Sequence, residues 1–195
     1  MKKVVICDID GTISDDRWRR SLIDSVGHDR YHEQASGDDP VHAVIQEVKR
    51  TVAENKADLY FVTGRPESMR EETATWLHSW FSKIPFCLLM RGSNDALPSP
   101  ELKQRLVSRH IDLPNVVAVF EDRTDVLAAY AEAGIKDEVM KLVDIDDEVM
   151  KLVDIDDEEA AGILSRAGDT YRERNQVYGS NWRNVAPVMR ALFPD

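Results

Sequence analysis

Two aspartates end the first apolar run of the chain. Asp8 and Asp10 follow the apolar residues 4–7 and are followed in turn by Gly11 and Thr12. Residues two apart in a strand point to the same side, about 7 Å apart, and parallel α/β sheets place their chemistry just beyond the carboxyl ends of strands. One aspartate could therefore attack a phosphorus atom while the other handles the proton on the leaving oxygen. The structural alternative is an Asx-turn that closes a strand.

Three further polar clusters follow along the chain. Two come directly after apolar runs, at 59–62 and 116–120, and one opens a helix-like stretch. In chain order they supply a hydroxyl, a lysine and an acidic pair: Thr63-Gly64-Arg65, Ser99-Pro100-Glu101-Leu102-Lys103, and Glu121-Asp122-Arg123-Thr124-Asp125. Ser99 and Pro100 predict a helix start that puts Lys103 in the first turns. A lysine there is more often solvated than catalytic, and its place between the two strand-end clusters favours a role in the site.

This ordered set resembles the haloacid dehalogenase-like phosphatase superfamily, whose pattern is Asp-x-Asp-x-Thr, then Ser/Thr, then Lys, then an acidic pair. The resemblance covers residues 1–146. Within the superfamily the chain is most similar to the 3′-phosphatase domain of polynucleotide kinase-phosphatases. The residues that carry this finer likeness are Asp8 to Thr12, Thr63-Gly64-Arg65, Leu89-Met90-Arg91, Lys103, Glu121 to Val126 and Gly134-Ile135. No Gly-Lys pair occurs in the chain, so a phosphate-cradling kinase loop is not expected and only the phosphatase half is predicted.

The resemblance implies a role for each side chain of the pattern. Asp8 is the expected nucleophile and Asp10 the general acid and then base, with a pKa raised by the negative charge on Asp8 and the phosphate. Thr63 and Lys103 are expected to bind the phosphate. The implied cofactor is Mg²⁺, held by the side chains of Asp8 and Asp122 and by the backbone carbonyl of Asp10.

Further residues are candidates for substrate binding or support. The candidates for substrate binding are Gly11, Thr12, Gly64, Arg65, Arg17 and Arg91. The candidates for supporting roles are Glu121, Arg123 and Asp125. Arg65, Arg91 and Arg123 could bind substrate, orient the acids or form surface ion pairs of little energetic weight. Glu121 departs from the Asp-Asp pair of the kinase-linked phosphatases, which leaves its role open.

Composition excludes some classes of protein. The 195 residues suit one domain with a small appendage, and no apolar run approaches membrane-spanning length. No secretory leader is expected. Cys7 and Cys87 both lie in apolar runs, so we expect buried free thiols and a protein of the reducing cytoplasm. Residues 137–159 carry a net charge of −9 of the total −11. The remainder is nearly neutral, so the overall charge does not exclude a polynucleotide substrate.

The spacing of apolar runs predicts the elements that position these residues. Strands are predicted at 3–8, 58–63, 85–90, 116–121 and 139–145, and helices at 41–55, 67–82, 100–109 and 123–133. Runs that are apolar on both faces and separated by helices predict an α/β fold, a Rossmann-like parallel five-stranded sheet with helices on both faces. Residues 1–146 form the predicted phosphatase domain. Residues 13–40 are its small cap segment, short enough to leave an open site that would suit a nucleic-acid end.

The predicted cap is rich in arginine and aromatic residues. Its members of these types are Arg17, Trp18, Arg19, Arg20, Arg30, Tyr31 and His32. Such a set could hold phosphates and stack a base. The alternative is a solvated helix whose Trp18 faces the core, and for Trp18 this alternative is favoured.

The last fifty residues have a different pattern. The decapeptide at 137–146 recurs unchanged at 147–156. The first copy is expected to form the fifth strand, and the second has no required place in the sheet. In residues 157–195 the spacing of apolar residues predicts a helical C-terminal extension. This extension is expected to pack on the domain or to form a homo-oligomer interface.

Several functions remain open at this point. The first is a Mg²⁺-dependent phosphomonoesterase that acts on a nucleic-acid 3′-phosphate or a nucleotide. The second is a 5′(3′)-deoxyribonucleotidase acting on free nucleoside monophosphates. A non-catalytic binding module is the alternative from another class, and a metabolic phosphatase is disfavoured by the small cap.

Overall fold

A five-stranded parallel sheet forms the centre of the protein. The computed structural model describes residues 2–26, 28–143 and 145. The strands of this sheet are β1 (Val4–Cys7), β4 (Asp58–Pro66), β5 (Phe86–Arg91), β6 (Val116–Glu121) and β7 (Met140–Leu142). Their order is β5-β4-β1-β6-β7, and every neighbouring pair is parallel. The α/β fold and its parallel five-stranded sheet are thus confirmed.

Helices cover both faces of the sheet. They are α3 (His42–Asn55), α4 (Arg70–Phe81), α5 (Ser99–His110) and α6 (Thr124–Glu132), while α1 (Ser21–Val26) and α2 (His28–Glu33) belong to the cap segment. Successive side chains of a strand point to opposite faces, and β1 accordingly sends Val5 to one apolar cluster and Ile6 to the other. The cluster with Val5 includes residues of α3 and α4, whereas the cluster with Ile6 includes residues of α5 and α6.

The register of the central strand brings the predicted site residues to one edge. Cys7 is opposite Phe61 of β4 and Phe120 of β6. Asp8 follows Cys7 directly, and its backbone N–H donates to the carbonyl of Phe120 over 2.9 Å. Since Asp8, Thr63 and Glu121 all lie beyond these paired residues, they meet at the carboxyl end of the sheet.

The cap segment begins with a tight turn and a short two-stranded sheet. Gly11 has a φ of +79°, a conformation that glycine adopts without strain. The amides of Thr12, Ile13 and Ser14 all donate to the carbonyl of Ile9. Strands β2 (Ser14–Asp15) and β3 (Asp39–Pro40) then pair antiparallel and enclose α1 and α2 in sequence.

Some predictions differ from the structure in detail. The fifth strand ends at Leu142 rather than at residue 145. Cys87 is exposed, which makes the prediction of a buried thiol wrong for it, because β5 is an edge strand with alternating exposure. Cys7 is buried, and both thiols are free. Within the described ranges, no helix combines the length and the apolar character that a membrane span requires. The predictions for 147–156 and 157–195 lie outside the described residues.

Candidate active site

A buried lysine joins two carboxylates at the edge of the sheet. Lys103, in the first turns of α5, is only 3% exposed. Its Nζ lies 2.7 Å from Oδ1 of Asp8 and 2.8 Å from Oε2 of Glu121. Lys103 is therefore not the solvated lysine that its position in the first turns makes most common. Its charge offsets part of the cost of burying two acidic groups.

Asp8, Glu121 and Asp122 form an acidic cluster, the name used below for these three residues. One carboxylate oxygen of each lies within 4.8 Å of the others. Oε1 of Glu121 and Oδ1 of Asp122 are buried and have no hydrogen-bond partner among the described residues. Unpartnered buried carboxylate oxygens are costly, so the acidic cluster has oxygen positions that a cation would satisfy.

The positive charge of Lys103 does not offset the burial of three carboxyl groups in the acidic cluster, because the pKa of each is raised. Burial raises the pKa of Asp8 to about 7; Lys103 opposes this shift, and Asp122 and Asp10 add to it. Burial also raises the pKa of Glu121 and of Asp122. The pKa of Lys103 is raised, because the charges of Asp8 and Glu121 outweigh its own desolvation. Carboxylates whose protonation is favoured in this way are ones that a divalent cation would stabilise in the charged form.

The donor set suits Mg²⁺ by its chemistry. All three side chains offer oxygen, which Mg²⁺ prefers. The side chain of Glu121 joins Asp8 and Asp122 in this group, whereas the predicted set had the backbone carbonyl of Asp10 as its third ligand. The residues present thus fit a divalent cation.

Gly11 provides room beside the acidic cluster. Its amide donates to the carbonyl of Ser14 over 2.9 Å, so it is not directed at a substrate, as a cradle of amides would require. A Cβ at this position would lie 2.9 Å from Cγ of Asp122 and 2.9 Å from Nη2 of Arg20. The absence of a side chain at Gly11 therefore keeps the carboxylate of Asp122 where it is.

Two arginines hold the second aspartate of the motif. Nε and Nη2 of Arg65 donate to the carboxylate of Asp10 at 3.0 and 2.6 Å, and Nη2 of Arg19 donates to it at 2.6 Å. Arg19 and Arg65 are both buried. They are called the arginine clamp below.

The arginine clamp reverses the expected pKa shift of Asp10. Burial acts to raise the pKa, but the charge and hydrogen bonds of Arg65, with the charges of Arg19 and His32, outweigh it and lower the pKa well below its usual range. The structure thus corrects the expectation that nearby negative charge raises it, because the guanidinium groups are in direct contact and the other carboxylates are not.

A buried aspartate of the cap connects the arginine clamp to the protein. Asp38 accepts hydrogen bonds from Arg19, Ser14 and Trp18. The guanidinium of Arg19 also stacks over the ring of Tyr31, 4.1 Å from its centroid. Arg19 is thereby fixed from several directions, and the cap segment contributes directly to the site.

The predicted hydroxyl groups are both buried near the sheet edge. Thr63 lies in β4, and its Oγ1 accepts the backbone N–H of Arg65 over 3.2 Å. Its own hydroxyl proton can still be donated. Thr12 is also buried, and its Oγ1 has no hydrogen-bond partner among the described residues.

The guanidinium of Arg91 binds backbone carbonyls, including that of Gly64. Arg91 donates to the carbonyls of Gly64, Asp95 and Leu97. The guanidinium of Arg91 thus binds the loop after β5, and its substrate role stays a prediction.

The remaining predicted side chains form local ion pairs. Arg17 donates to Asp15 at 2.8 and 2.6 Å. Arg123 and Asp125 pair with each other on the surface. The hydrogen bond to Asp125 raises the pKa of Arg123, and the charges of Glu121 and Asp122 add to this shift, so Arg123 lies near the acidic cluster.

Sequence reasoning missed part of the site. It treated Arg19 as one arginine of several, and gave no role to Asp38, Ser14 or Asp16. Asp16 accepts from the hydroxyl of Tyr31 over 2.6 Å and from Nε of Arg20 over 2.8 Å. A run of arginines carries no periodic signal that separates the buried member from the exposed ones.

A cavity opens beside the acidic cluster. It has a volume of about 210 Å³. Its lining residues come from the turn after β1, the cap, the segment after β6 and the region of β7: Gly11, Arg20, Asp122, Thr124, Leu142, Val143 and Ile145. Of the acidic cluster, Asp122 lines this cavity, whereas Asp8 and Glu121 are buried behind it.

Fold and site together define a haloacid dehalogenase-like phosphatase domain. The defining features are the Asp-x-Asp-x-Thr turn after the central strand, the buried lysine and the acidic pair after β6. A family model described as the polynucleotide kinase PNKP phosphatase domain matches residues 2–141. The chain belongs to that family, as its sequence resemblance predicted.

Individual relatives agree with this assignment. A protein of Autographa californica nuclear polyhedrosis virus, to which polynucleotide kinase and RNA ligase activities are ascribed, is 29% identical over 134 residues, or 68% of this chain and 18% of the relative. A solved chain from a Pnkp1/Rnl/Hen1 complex is 25% identical with a TM-score of 0.58, covering 74% of this chain and 46% of that one.

A second solved chain, from the Pnkp1/Rnl/Hen1 RNA repair complex, shares the fold. It is 24% identical with a TM-score of 0.59 and covers 74% of this chain and 43% of its own. The chain thus spans less than half the length of each of these relatives.

Proposed function

We propose that this domain is a Mg²⁺-dependent phosphomonoesterase that removes the 3′-phosphate from a nucleic-acid end. The observation that carries the proposal is the buried contact of Lys103 with Asp8 inside the acidic cluster. An aspartate held beside a lysine at the end of a parallel strand is suited to attack phosphorus.

Asp8 is the proposed nucleophile. Its Oδ1 is bound to Lys103, which leaves the other carboxylate oxygen to form the bond to phosphorus. The ester oxygen leaves as this bond forms, and the product is an aspartyl phosphate that water then hydrolyses. Splitting the reaction into two displacements replaces one difficult step by two easier ones.

Asp8, Glu121 and Asp122 are the residues that would hold Mg²⁺, with the predicted carbonyl of Asp10 alongside them. The bound cation would mask the negative charge that otherwise keeps a carboxylate away from a phosphate. Lys103 contributes a further positive charge on the other side of Asp8, and Thr63 can donate a hydrogen bond to a phosphate oxygen.

Asp10 is the proposed proton donor to the leaving oxygen and then the base that activates water. The arginine clamp favours its ionised form, which suits the second step. The first step needs the protonated form, and the charge of a bound phosphate beside Asp10 acts in that direction, against the arginines. The clamp also fixes the orientation of the carboxylate, on which efficient proton transfer depends.

The substrate is proposed from the family and the openness of the site. The matching family is a polynucleotide kinase phosphatase domain, and the cavity beside Asp122 is open to its surroundings. Outside residues 137–159 the chain has a net charge of only −2, so repulsion does not oppose a polyanionic substrate strongly. Two free cysteines agree with the proposed cytoplasmic location.

A phosphate-release assay tests the proposal. With Mg²⁺, we expect the wild type to turn over a 3′-phosphorylated oligonucleotide faster than a 5′-phosphorylated one, free nucleoside 3′- or 5′-monophosphates, or glycerol phosphate. Asp8→Asn should lower turnover by about 10⁴-fold or more, as loss of a nucleophile does in other enzymes.

Asp58→Asn is the matched control. Asp58 begins β4 at the opposite end of the sheet and pairs with Lys2 on the surface, so this variant should keep wild-type turnover. Preference for free mononucleotides would replace the proposed substrate by the nucleotidase alternative. Retained activity in Asp8→Asn would refute the nucleophile.

A further inference from the structure

Trp18 is the most exposed large apolar side chain of the described residues. It is 53% exposed, which corrects the expectation that it faces the core. It belongs to the short helical turn Arg17–Arg19 of the cap, in which its neighbour Arg19 is completely buried. The burial of Arg19 against Asp10 and Asp38 turns the adjacent indole outward.

The indole of Trp18 is held in place although it is exposed. Its Nε1–H donates to Oδ1 of Asp38 over 3.0 Å. One part of the ring lies over Gly37, where an added Cβ would come within 3.2 Å of Cζ2. Gly37 thus leaves room for the ring to lie on the backbone, and a hydrogen bond fixes one edge. Such a side chain loses little conformational entropy when a flat ligand contacts it.

Trp18 is linked to the proposed general acid by a chain of hydrogen bonds. Oδ1 of Asp38 accepts from both Nε1 of Trp18 and Nε of Arg19, and Nη2 of the same arginine holds Asp10. The carboxylate of Asp38 and the guanidinium of Arg19 therefore connect the indole edge to the proposed general acid. A nucleotide whose phosphate reaches Asp8 would bring its own or a neighbouring base near this ring.

The surroundings of Trp18 favour a nucleobase over a protein partner. The residues beside it in the chain are charged: Asp15, Asp16, Arg17, Arg19 and Arg20. Protein-docking surfaces need a contiguous apolar patch, and an isolated aromatic ring among charged groups does not supply one. Aromatic rings next to cationic groups are the arrangement used to bind single-stranded nucleic acid without reading its sequence.

The side chain of Arg20 adds a cationic group on the same turn. It is about half exposed, lines the cavity beside Asp122, and is oriented by Asp16 at 2.8 Å. Its Nη2 lies 3.9 Å from Oδ2 of Asp122, and a guanidinium at this position is suited to a phosphate of the strand next to the terminal nucleotide.

We propose that Trp18 is a stacking platform for a base at or next to the 3′ end of the substrate strand. This inference rests on the proposed function and names a specificity-determining residue for it. Stacking on an aromatic ring contributes about 1–3 kcal/mol per base. A platform of this kind distinguishes a polynucleotide end from a small phosphate ester without reading sequence.

The test compares Trp18→Phe with Trp18→Leu. Both variants lose the N–H donor to Asp38, and only the first keeps an aromatic ring. On a 3′-phosphorylated single strand, we expect Trp18→Leu to lower kcat/KM about 5- to 150-fold, the equivalent of the stacking energy above, while Trp18→Phe keeps most of the activity.

Abasic substrates locate the stacked base. A series of oligonucleotides carries one abasic site at each of the last few positions. At the position that stacks on Trp18, the wild type should lose activity and Trp18→Leu should lose no more, because the interaction has already been removed. Glycerol phosphate should be hydrolysed equally by the wild type and both variants.

Two results would overturn the inference, and they are distinguishable. If both variants lose activity equally on every substrate, glycerol phosphate included, Trp18 serves only to support Asp38 and the proposed function stands. If the wild type hydrolyses glycerol phosphate but not the 3′-phosphorylated strand, the proposed function itself fails and the inference falls with it.

Discussion

The two aspartates of the Asp-x-Asp motif lie in opposite electrostatic environments. Asp8 belongs to the acidic cluster, where Lys103 is shared with Glu121 and burial raises the pKa. Asp10 is held in the arginine clamp, where two guanidinium groups lower the pKa. The acidic cluster lacks positive charge, whereas the clamp contains enough for its carboxylate. A bound cation would therefore offset the excess negative charge of the acidic cluster. The charge of Asp10 is already offset by its two arginines.

This difference indicates separate roles, with metal binding proposed for the acidic cluster and orientation of Asp10 proposed for the arginine clamp. In the proposed function the cluster supplies the metal ligands and the nucleophile, and a divalent cation would offset the negative charge that Lys103 leaves unbalanced. The clamp ties the cap segment to β4 through Arg19, Arg65 and Asp38, and it holds one carboxylate in one orientation. Changes on the two sides should therefore have different signatures.

The largest effect is expected for Lys103→Met. The substitution leaves Asp8 and Glu121 buried without their cationic partner, which costs about 3–5 kcal/mol of the free energy of unfolding at pH 8. The folded-state pKa of both carboxyl groups lies above the unfolded value, so protonation stabilises the fold as the pH falls through that range. The loss should shrink between pH 8 and pH 5 in urea unfolding without metal.

Turnover of Lys103→Met should also fall by at least about 100-fold, because the phosphate loses a positive charge beside Asp8. Glu54→Gln, on the surface of α3, is the control for handling and pH. A loss of stability that is equal at pH 5 and pH 8 would contradict the assigned charge balance.

A smaller loss that sets in at a different pH range is expected for Arg65→Met. It removes charged hydrogen bonds to Asp10 and should cost about 2–3 kcal/mol, less than Lys103→Met because Arg19 still pairs with Asp10. The pKa of Asp10 is lowered in the folded state, so this contribution is present above the unfolded pKa. It is lost only as the pH falls below that value.

The loss in Arg65→Met should thus persist from pH 8 to pH 5. Mg²⁺ affinity should stay within about threefold of the wild type, while kcat falls about 100-fold through misplacement of Asp10. A loss of Mg²⁺ binding as large as that of kcat would mean that the clamp and the cluster are not separate.

The sequence predicted the cluster better than the clamp, for a physical reason. Asp8 ends one predicted strand and Asp122 directly follows another, and the parallel sheet dictates that strand ends meet. Lys103 lies in the first turns of a predicted helix between them in the chain. Arg19 reaches Asp10 through a short turn inside an irregular segment, where periodicity gives no direction. The pKa of Asp10 was predicted in the wrong direction because its contact partners are set by the cap, whose path the sequence does not specify.

The exposure of some single side chains could also not be predicted from the sequence. Trp18 is apolar and was expected in the core, yet the burial of Arg19 turns it outward. Cys87 lies in an apolar run, yet β5 is at the edge of the sheet and exposes it. Both outcomes depend on what packs against an element, which local patterns do not contain.

The smallest effect is expected from removing one copy of the repeated decapeptide. Removal of 137–146 or of 147–156 yields the same shortened chain. The remaining copy can form β7, so the free energy of unfolding should change by less than about 0.5 kcal/mol and turnover by less than about twofold. A large loss of activity in the shortened protein would give the second copy a function in the site.

The most direct test of the account is Mg²⁺ binding measured by calorimetry at pH 8 and pH 6. We expect the wild type and Asp58→Asn to bind one equivalent, more weakly at pH 6 because protons compete at Asp8. Asp122→Asn should lose affinity by at least about 10-fold. Equal binding by Asp122→Asn and the wild type, or binding that does not depend on pH, would contradict the claim that the acidic cluster holds the catalytic metal.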